Sequence, residues 1–200
     1  MKTINRALGV SALALAFVVT GCSAGGSTGA TPAASPGITA APSSAPASSE
    51  ANAADQMFVT MMIPHHEQAI EMSDIVLEKD DIDPRVLDLA QRIKDAQGPE
   101  IEQMEAWLDD WGMGHGGMGG MDHGDGMMSE GDMEALDAAT GNEASRLWLQ
   151  QMIEHHEGAV EMAEAEVEDG QHPDVVALAQ QMADAQATEI AEMEQLLTEL

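Results

Sequence analysis

Residues 59–78, VTMMIPHHEQAIEMSDIVLE, and residues 149–168, LQQMIEHHEGAVEMAEAEVE, are two copies of one pattern at an offset of 90. A second pair, PRVLDLAQRIKDAQGPEIEQMEAWL (84–108) and PDVVALAQQMADAQATEIAEMEQLL (173–197), repeats at an offset of 89. The single deletion falls in the short link within each copy. A helix–turn–helix repeat absorbs it there, because loops tolerate changes of length and helices do not. Apolar residues recur at helical spacing, and strand-like alternation is absent. Each copy therefore predicts two helices, over about 52–79 and 84–111 in the first and about 142–168 and 173–199 in the second. Pro84 and Pro173 suit first helical positions, preceded by Asp83 and His172, and Gly112 and Gly170 mark helix ends. Pro64 has no counterpart, since Glu154 takes its place, and it is expected to kink the first helix or to start it locally. Two helical hairpins joined by a long connection close into an all-α four-helix bundle.

Around these copies, residues 55–111 and 134–200, the chain changes character. Residues 1–22 read as a secretory signal, with Lys2 and Arg6 at its start and an apolar stretch from Leu8 to Val19 that is too short to span a bilayer stably. It ends in Val19-Thr20-Gly21-Cys22, which resembles a bacterial lipobox, so Cys22 is the expected site of lipidation. Cys22 is the sole cysteine, which excludes an internal disulfide and a thiolate metal cluster. Residues 23–54, rich in Ser, Ala and Pro, have no hydrophobic periodicity and read as a disordered tether. The expected location is the outer face of the cytoplasmic membrane, held by the N-terminal lipid alone.

Charge and composition exclude several functions. Against 36 acidic residues stand 7 basic ones, a net charge of −29 over 200 residues, which repels nucleic acid and favours cations. With no Tyr, two Phe and three Trp, an aromatic-lined sugar or base site is excluded, while methionine reaches 16.

On helical geometry His65 and His66 flank the apolar stripe of the first helix, with Met62 and Met72 one turn to either side. His155, His156, Met152 and Met162 repeat this arrangement. The small Ala69 and Ala159 leave space beside the rings, and Glu67, Glu71, Glu157 and Glu161 fall on the solvent side. In the second helices Gln97 and Glu100, and again Gln186 and Glu189, share the inward stripe. Such groups need partners, because an unpaired buried polar atom costs about 1–3 kcal/mol. The imidazoles are the obvious ones, each donating to Glu or Gln through a nitrogen that holds no metal. Four inward histidines bracketed by thioethers in both copies point to a metal.

Residues 112–133, GMGHGGMGGMDHGDGMMSEGDM, form a Gly/Met/His-rich loop between the copies. A mere linker has little use for methionine. Met113, His115, Met118, Met121, His123, Met127 and Met128 are candidate ligands of a flexible metal collector. Thioether and imidazole together suit Cu(I) or Ag(I) better than Zn(II).

HHEQAIEM and HHEGAVEM, each followed by Q-x-x-E-I-x-x-M (QGPEIEQM, QATEIAEM), resemble the family known as domain of unknown function 305 over about residues 55–200. The resemblance implies a ferritin-like fold, a secreted or lipid-anchored bacterial protein, copper or silver binding, and metal tolerance. It points to Met62, His65, His66, Met72, Met152, His155, His156 and Met162 as metal residues, and adds Met104 and Met193. The expected function is an extracytoplasmic copper buffer or carrier, not an enzyme, with metal ions as partners and a homodimer of bundles compatible with it. A ferritin-like dinuclear metal oxidase is the alternative. That class needs Glu-x-x-His on two helices and four inward carboxylates, whereas Met62 and Met152 stand three before His65 and His155. An acidic helical scaffold without metal is the third reading.

Overall fold

The computed structural model describes residues 50–114 and 126–200. Among them are five helices and no strand: α1 (Ala53–Leu77), α2 (Pro84–Asp110), α3 (Glu130–Ala138), α4 (Gly141–Asp169) and α5 (Pro173–Glu199). The four long ones lie within two residues of the expected ranges. No helix among the described residues is long and apolar enough to cross a membrane. The expected signal, the tether up to residue 49 and Cys22 lie outside the described residues, as do His115, Met118, Met121 and His123.

Local chemistry sets the helix ends. Asn52 caps α1 in a reciprocal box with Asp55, and Asp83 accepts from the Arg85 N–H ahead of α2. Beyond α2, Gly112 has φ +69° and donates to Asp109 while Met113 donates to Leu108 at 2.8 Å. This paired closure needs a left-handed residue, which glycine supplies. α1 continues through Pro64, which lacks only one N–H, because buried residues on both sides hold the helix.

The long helices form two antiparallel hairpins, α1–α2 and α4–α5, that pack through α1 and α4 with a near two-fold relation. The core divides into two apolar clusters along the bundle. One gathers Phe58, Val59, Met62, Met104, Leu108, Ala159, Ala163, Val175, Ala179 and Met182, from the start of α1 and α5 and the end of α2 and α4. The other gathers Met72, Val76, Leu89, Ile93, Leu136, Trp148, Leu149, Met152, Met193 and Leu196, at the opposite end. Each hairpin also holds the other's turn: Asp55 of α1 accepts the N–H groups of Gln171 and His172, and Ser145 of α4 accepts that of Asp83. Asp55 and Ser145 are equivalent positions of the repeat.

The connection between hairpins departs from expectation. Its last part is ordered, not loop: α3 is capped by Ser129 and Asp132 and buries Leu136 against the bundle. Met128, expected in the flexible collector, is 8% exposed and joins the core, because Gln68 grips its backbone at both N–H (2.7 Å) and C=O (2.9 Å). Just before it, Gly126 has φ +78° and lies against α4, where a Cβ would come within 2.6 Å of the Glu154 carbonyl. Gly158, which stands where the first copy has Gln68, makes room for it. Gly126→Ala should therefore cost about 2 kcal/mol through overpacking and a disfavoured φ, read as a fall of several degrees in the thermal midpoint. An unchanged midpoint would mean that this segment contributes nothing to stability.

Candidate metal centre

All four histidines of the paired motifs are buried, His65 at 2% exposure and the others at 0%. They lie between the two apolar clusters, so they form a polar waist in an otherwise dry core. The near two-fold relation brings the equivalent residues His65 and His155 together, with ring centres 3.7 Å apart at 41°. His66 and His156 each turn to a carboxylate on the second helix of their own hairpin. His66 Nε2 lies 2.9 Å from Glu100 Oε2, and His156 Nε2 lies 2.9 Å from Glu189 Oε2. An ionised carboxylate can only accept, so the proton of a neutral ring sits on Nε2 and Nδ1 is left as a bare lone pair. Those Nδ1 atoms of His66 and His156 are shielded from water and have no hydrogen-bond partner, while both ring nitrogens of His155 are equally shielded and only the His65 backbone eases its charge. His155 is pushed far below the ordinary histidine range, first by burial and then by His65, His156 and His66 around it. It is therefore a neutral imidazole at physiological pH.

Gln97 and Gln186 are buried beside this layer, as the helical spacing requires, but their Oε1 atoms have no donor. Of the two expected acceptors for imidazole, the glutamates take the role and the glutamines do not. Glu67, Glu71, Glu157 and Glu161 are exposed. Among the described residues, no group of three or more His, Cys, Asp and Glu is placed to hold a metal ion. The nitrogen donors come in pairs instead.

The methionines divide between the ends of the bundle. Met62 and Met104 belong to one cluster and Met72, Met152 and Met193 to the other, all at 0% exposure. Met162 is only half-buried and lies at the edge of the first cluster with Met113. Met127, half-buried, immediately precedes the core-bound Met128.

The model of the domain of unknown function DUF305 matches residues 55–197, nearly the whole described part. The chain belongs to the DUF305 family. Among solved structures, a DUF305 fragment from Deinococcus radiodurans is 34% identical with a TM-score of 0.69, the match covering 75% of this chain and 99% of that one. A DUF305 protein from Streptomyces coelicolor, named as secreted, is 36% identical with a TM-score of 0.68, over 73% of this chain and 91% of that one. CopM in its Cu(I)-bound form is 31% identical with a TM-score of 0.61, over 72% and 96%. CopM is also known with Cu(II), with silver and without metal. No curated protein matches the chain by sequence.

One feature of this DUF305 chain escapes the paired motifs. Glu166 of α4, 2% exposed, lies beside Asp55 of α1, which is 0% exposed. Burial opposes the charge of Asp55, yet bonds from Glu166 and from the N–H groups of His172, Asn52 and Gln171 hold its carboxyl below the usual range. Burial, then the bond to Asp55 and the charges of Asp55 and Asp169, push Glu166 up to about 8. Helical spacing carries the signal, since Asp55 is one turn before Phe58 and Val59, and Glu166 one turn after Ala163.

Proposed function

We propose that this protein is an extracytoplasmic buffer or carrier for Cu(I), with Ag(I) as a surrogate, and that the histidine waist is its tightest site. The observation that carries the reading is the pair of buried Nδ1 atoms without hydrogen-bond partners on His66 and His156, in one layer with the buried His65 and His155 rings. Each such atom costs about 1–3 kcal/mol unless something binds it. The His–Glu pairs supply the usual means of orienting a ligating imidazole through its other nitrogen. A donor set of paired imidazoles with thioethers in the adjoining layers suits a soft ion of low coordination number better than Zn(II) or a dinuclear oxygen-ligated centre. CopM, which holds copper and silver, supports the same reading from a relative.

Metal–nitrogen bonds of about 2 Å place two imidazoles that share one ion in line with ring centres about 6 Å apart. The close, tilted pair His65–His155 therefore opens if it takes the metal. In this reading the waist holds an ion through coordination alone and makes or breaks no covalent bond in a substrate, which is binding and not catalysis. Oxygen consumption on loading with iron would favour the oxidase instead.

Anaerobic titration of the full-length protein with Cu(I), Ag(I), Cu(II) and Zn(II) tests it. The expected result is tight Cu(I) and Ag(I) that Zn(II) does not displace. Equal competition by Zn(II) would reduce the methionines to core filler, and no bound metal would leave the acidic scaffold. The location has its own test, supported by the Streptomyces relative's naming as secreted. Cys22→Ser should release the protein from the membrane fraction or leave it unprocessed, and unchanged size and membrane association would overturn the lipid anchor.

A further inference from the structure

A cavity of about 470 Å³ lies in the groove between the start of α1 and the end of α4, outside the histidine waist. Four thioethers line it from three parts of the chain: Met57 and Met61 of α1, Met162 of α4, and Met113 just beyond α2. Core packing accounts for them only in part, since Met113 and Met162 touch the edge of the first cluster. Met57 is 62% exposed, and Met61, Met113 and Met162 are only half-buried. The repeat does not require Met57 and Met61, since Leu147 and Gln151 stand at the equivalent positions of the second copy. Met162 repeats Met72, which is buried in the core, so Met57 and Met61 are the groove thioethers that the second copy lacks. Glu166 and Asp169 also line the cavity, and the exposed Asp169 gives cations a carboxylate at its edge.

We propose that this groove is a second metal site, a solvent-open thioether cluster that accepts Cu(I) or Ag(I). It rests on the copper reading and adds to it a place and a ligand type distinct from the waist. Neutral sulfur donors favour soft monovalent ions and give Zn(II) little. Four methionines from three chain segments, converging on one open cavity, supply the two or three sulfurs such an ion needs without displacing any core residue. Met61 lies one helical turn before His65. An ion captured in the groove is therefore next to the helix face that leads to the waist.

The test uses Ag(I) and the full-length protein carrying ¹³C-methyl methionine. Silver should shift the methyl resonances of Met57, Met61, Met113 and Met162, assigned through single Met→Leu variants. The fourfold Leu variant, close to isosteric, should bind one silver ion fewer than the wild type and retain the tightest class. If the wild type binds silver but these four resonances stay in place and the fourfold variant binds as many ions, the groove site is wrong and the waist stands. If the wild type binds no silver, the copper reading fails and takes the groove with it. Should the fourfold variant lose its helical signal, the wild-type resonances decide alone.

Discussion

Replacing His65, His66, His155 and His156 together by Ala should remove the tightest Cu(I) class, an affinity loss of more than about 100-fold, since withdrawing mere orienting partners already costs about 10–100-fold. Glu100→Gln with Glu189→Gln is the companion variant. It keeps every imidazole but removes the acceptors 2.9 Å from Nε2 of His66 and His156, so it should weaken binding by about 10–100-fold. A graded loss across the two variants is what ligands with orienting carboxylates require. Replacing residues 115–125 by a Gly/Ser segment should instead lower the number of ions bound and spare the tight class, because ligands spread through so glycine-rich a sequence give up more conformational entropy on binding than ligands fixed on packed helices. The swap stops at residue 125, since Gly126 and Met128 are part of the packed structure. If the swap removes the tight class while the four-histidine variant keeps it, the two sites are reversed. Helical circular dichroism of the four-histidine variant checks that lost packing does not imitate lost ligation.

The repeat made the fold readable. Two aligned copies with one deletion in the intervening turn leave little freedom in the placement of four helices, and Pro84 and Pro173 fix two of the starts. α3 escaped because its cue, Ser129 with Asp132 followed by Met133 and Leu136, sits at the end of a stretch whose glycines and methionines read as loop. Nine residues cannot form a stable helix by themselves, so its order comes from tertiary contact. The hold of Gln68 and Gly158 on residues 126–128 was equally hidden. It depends on a single aligned position at which the copies differ, Gln68 against Gly158, and a repeat read for its similarities passes over it.

At the site, periodicity told which side chains turn inward but not which of them meet. Burial of the four histidines follows from helical spacing alone, whereas spacing left Gln97 and Gln186 open beside Glu100 and Glu189 as their partners. The contact of His65 with His155 requires knowing that α1 and α4 pack antiparallel across the near two-fold relation. The thioethers show the same limit. Met62, Met72, Met152 and Met162 bracket the histidines along each helix, yet packing sends them to different layers and brings Met162 to an open groove with Met57 and Met61 instead. Asp55 and Glu166, more than a hundred residues apart, were invisible as a pair, although each occupies an apolar-face position at which an acid is out of place.

That pair should make stability fall as pH rises. Glu166 is pushed up to about 8 in the folded chain against an ordinary value of 4.5. Below pH 4.5 it is protonated in both states and burying it carries no charge penalty. Between 4.5 and 8 the unfolded chain releases the proton while the folded chain keeps it, so folding loses ground steadily. Above 8 the full penalty applies, because a second negative charge must then be buried beside Asp55. The shift bounds that penalty at about 5 kcal/mol, with about half a realistic expectation after relaxation and water entry. Glu166→Gln keeps the volume, can still donate to Asp55, and carries no charge. Its thermal midpoint should exceed that of the wild type by at least about 5 °C at pH 9, with the difference closing by pH 5. Asp55→Asn should behave in the opposite way at neutral pH. It gives up the ionised acceptor that receives the Gln171 and His172 N–H groups, so it should destabilise the turn ahead of α5. Its cost should shrink in acid, starting near the ordinary value of 3.8, where Asp55 of the unfolded chain takes up a proton, and vanishing only below that, where the folded one does. An offset for Glu166→Gln that is the same at pH 5 and pH 9 would show that the substitution acts through packing, and that Glu166 holds no extra proton in the folded protein.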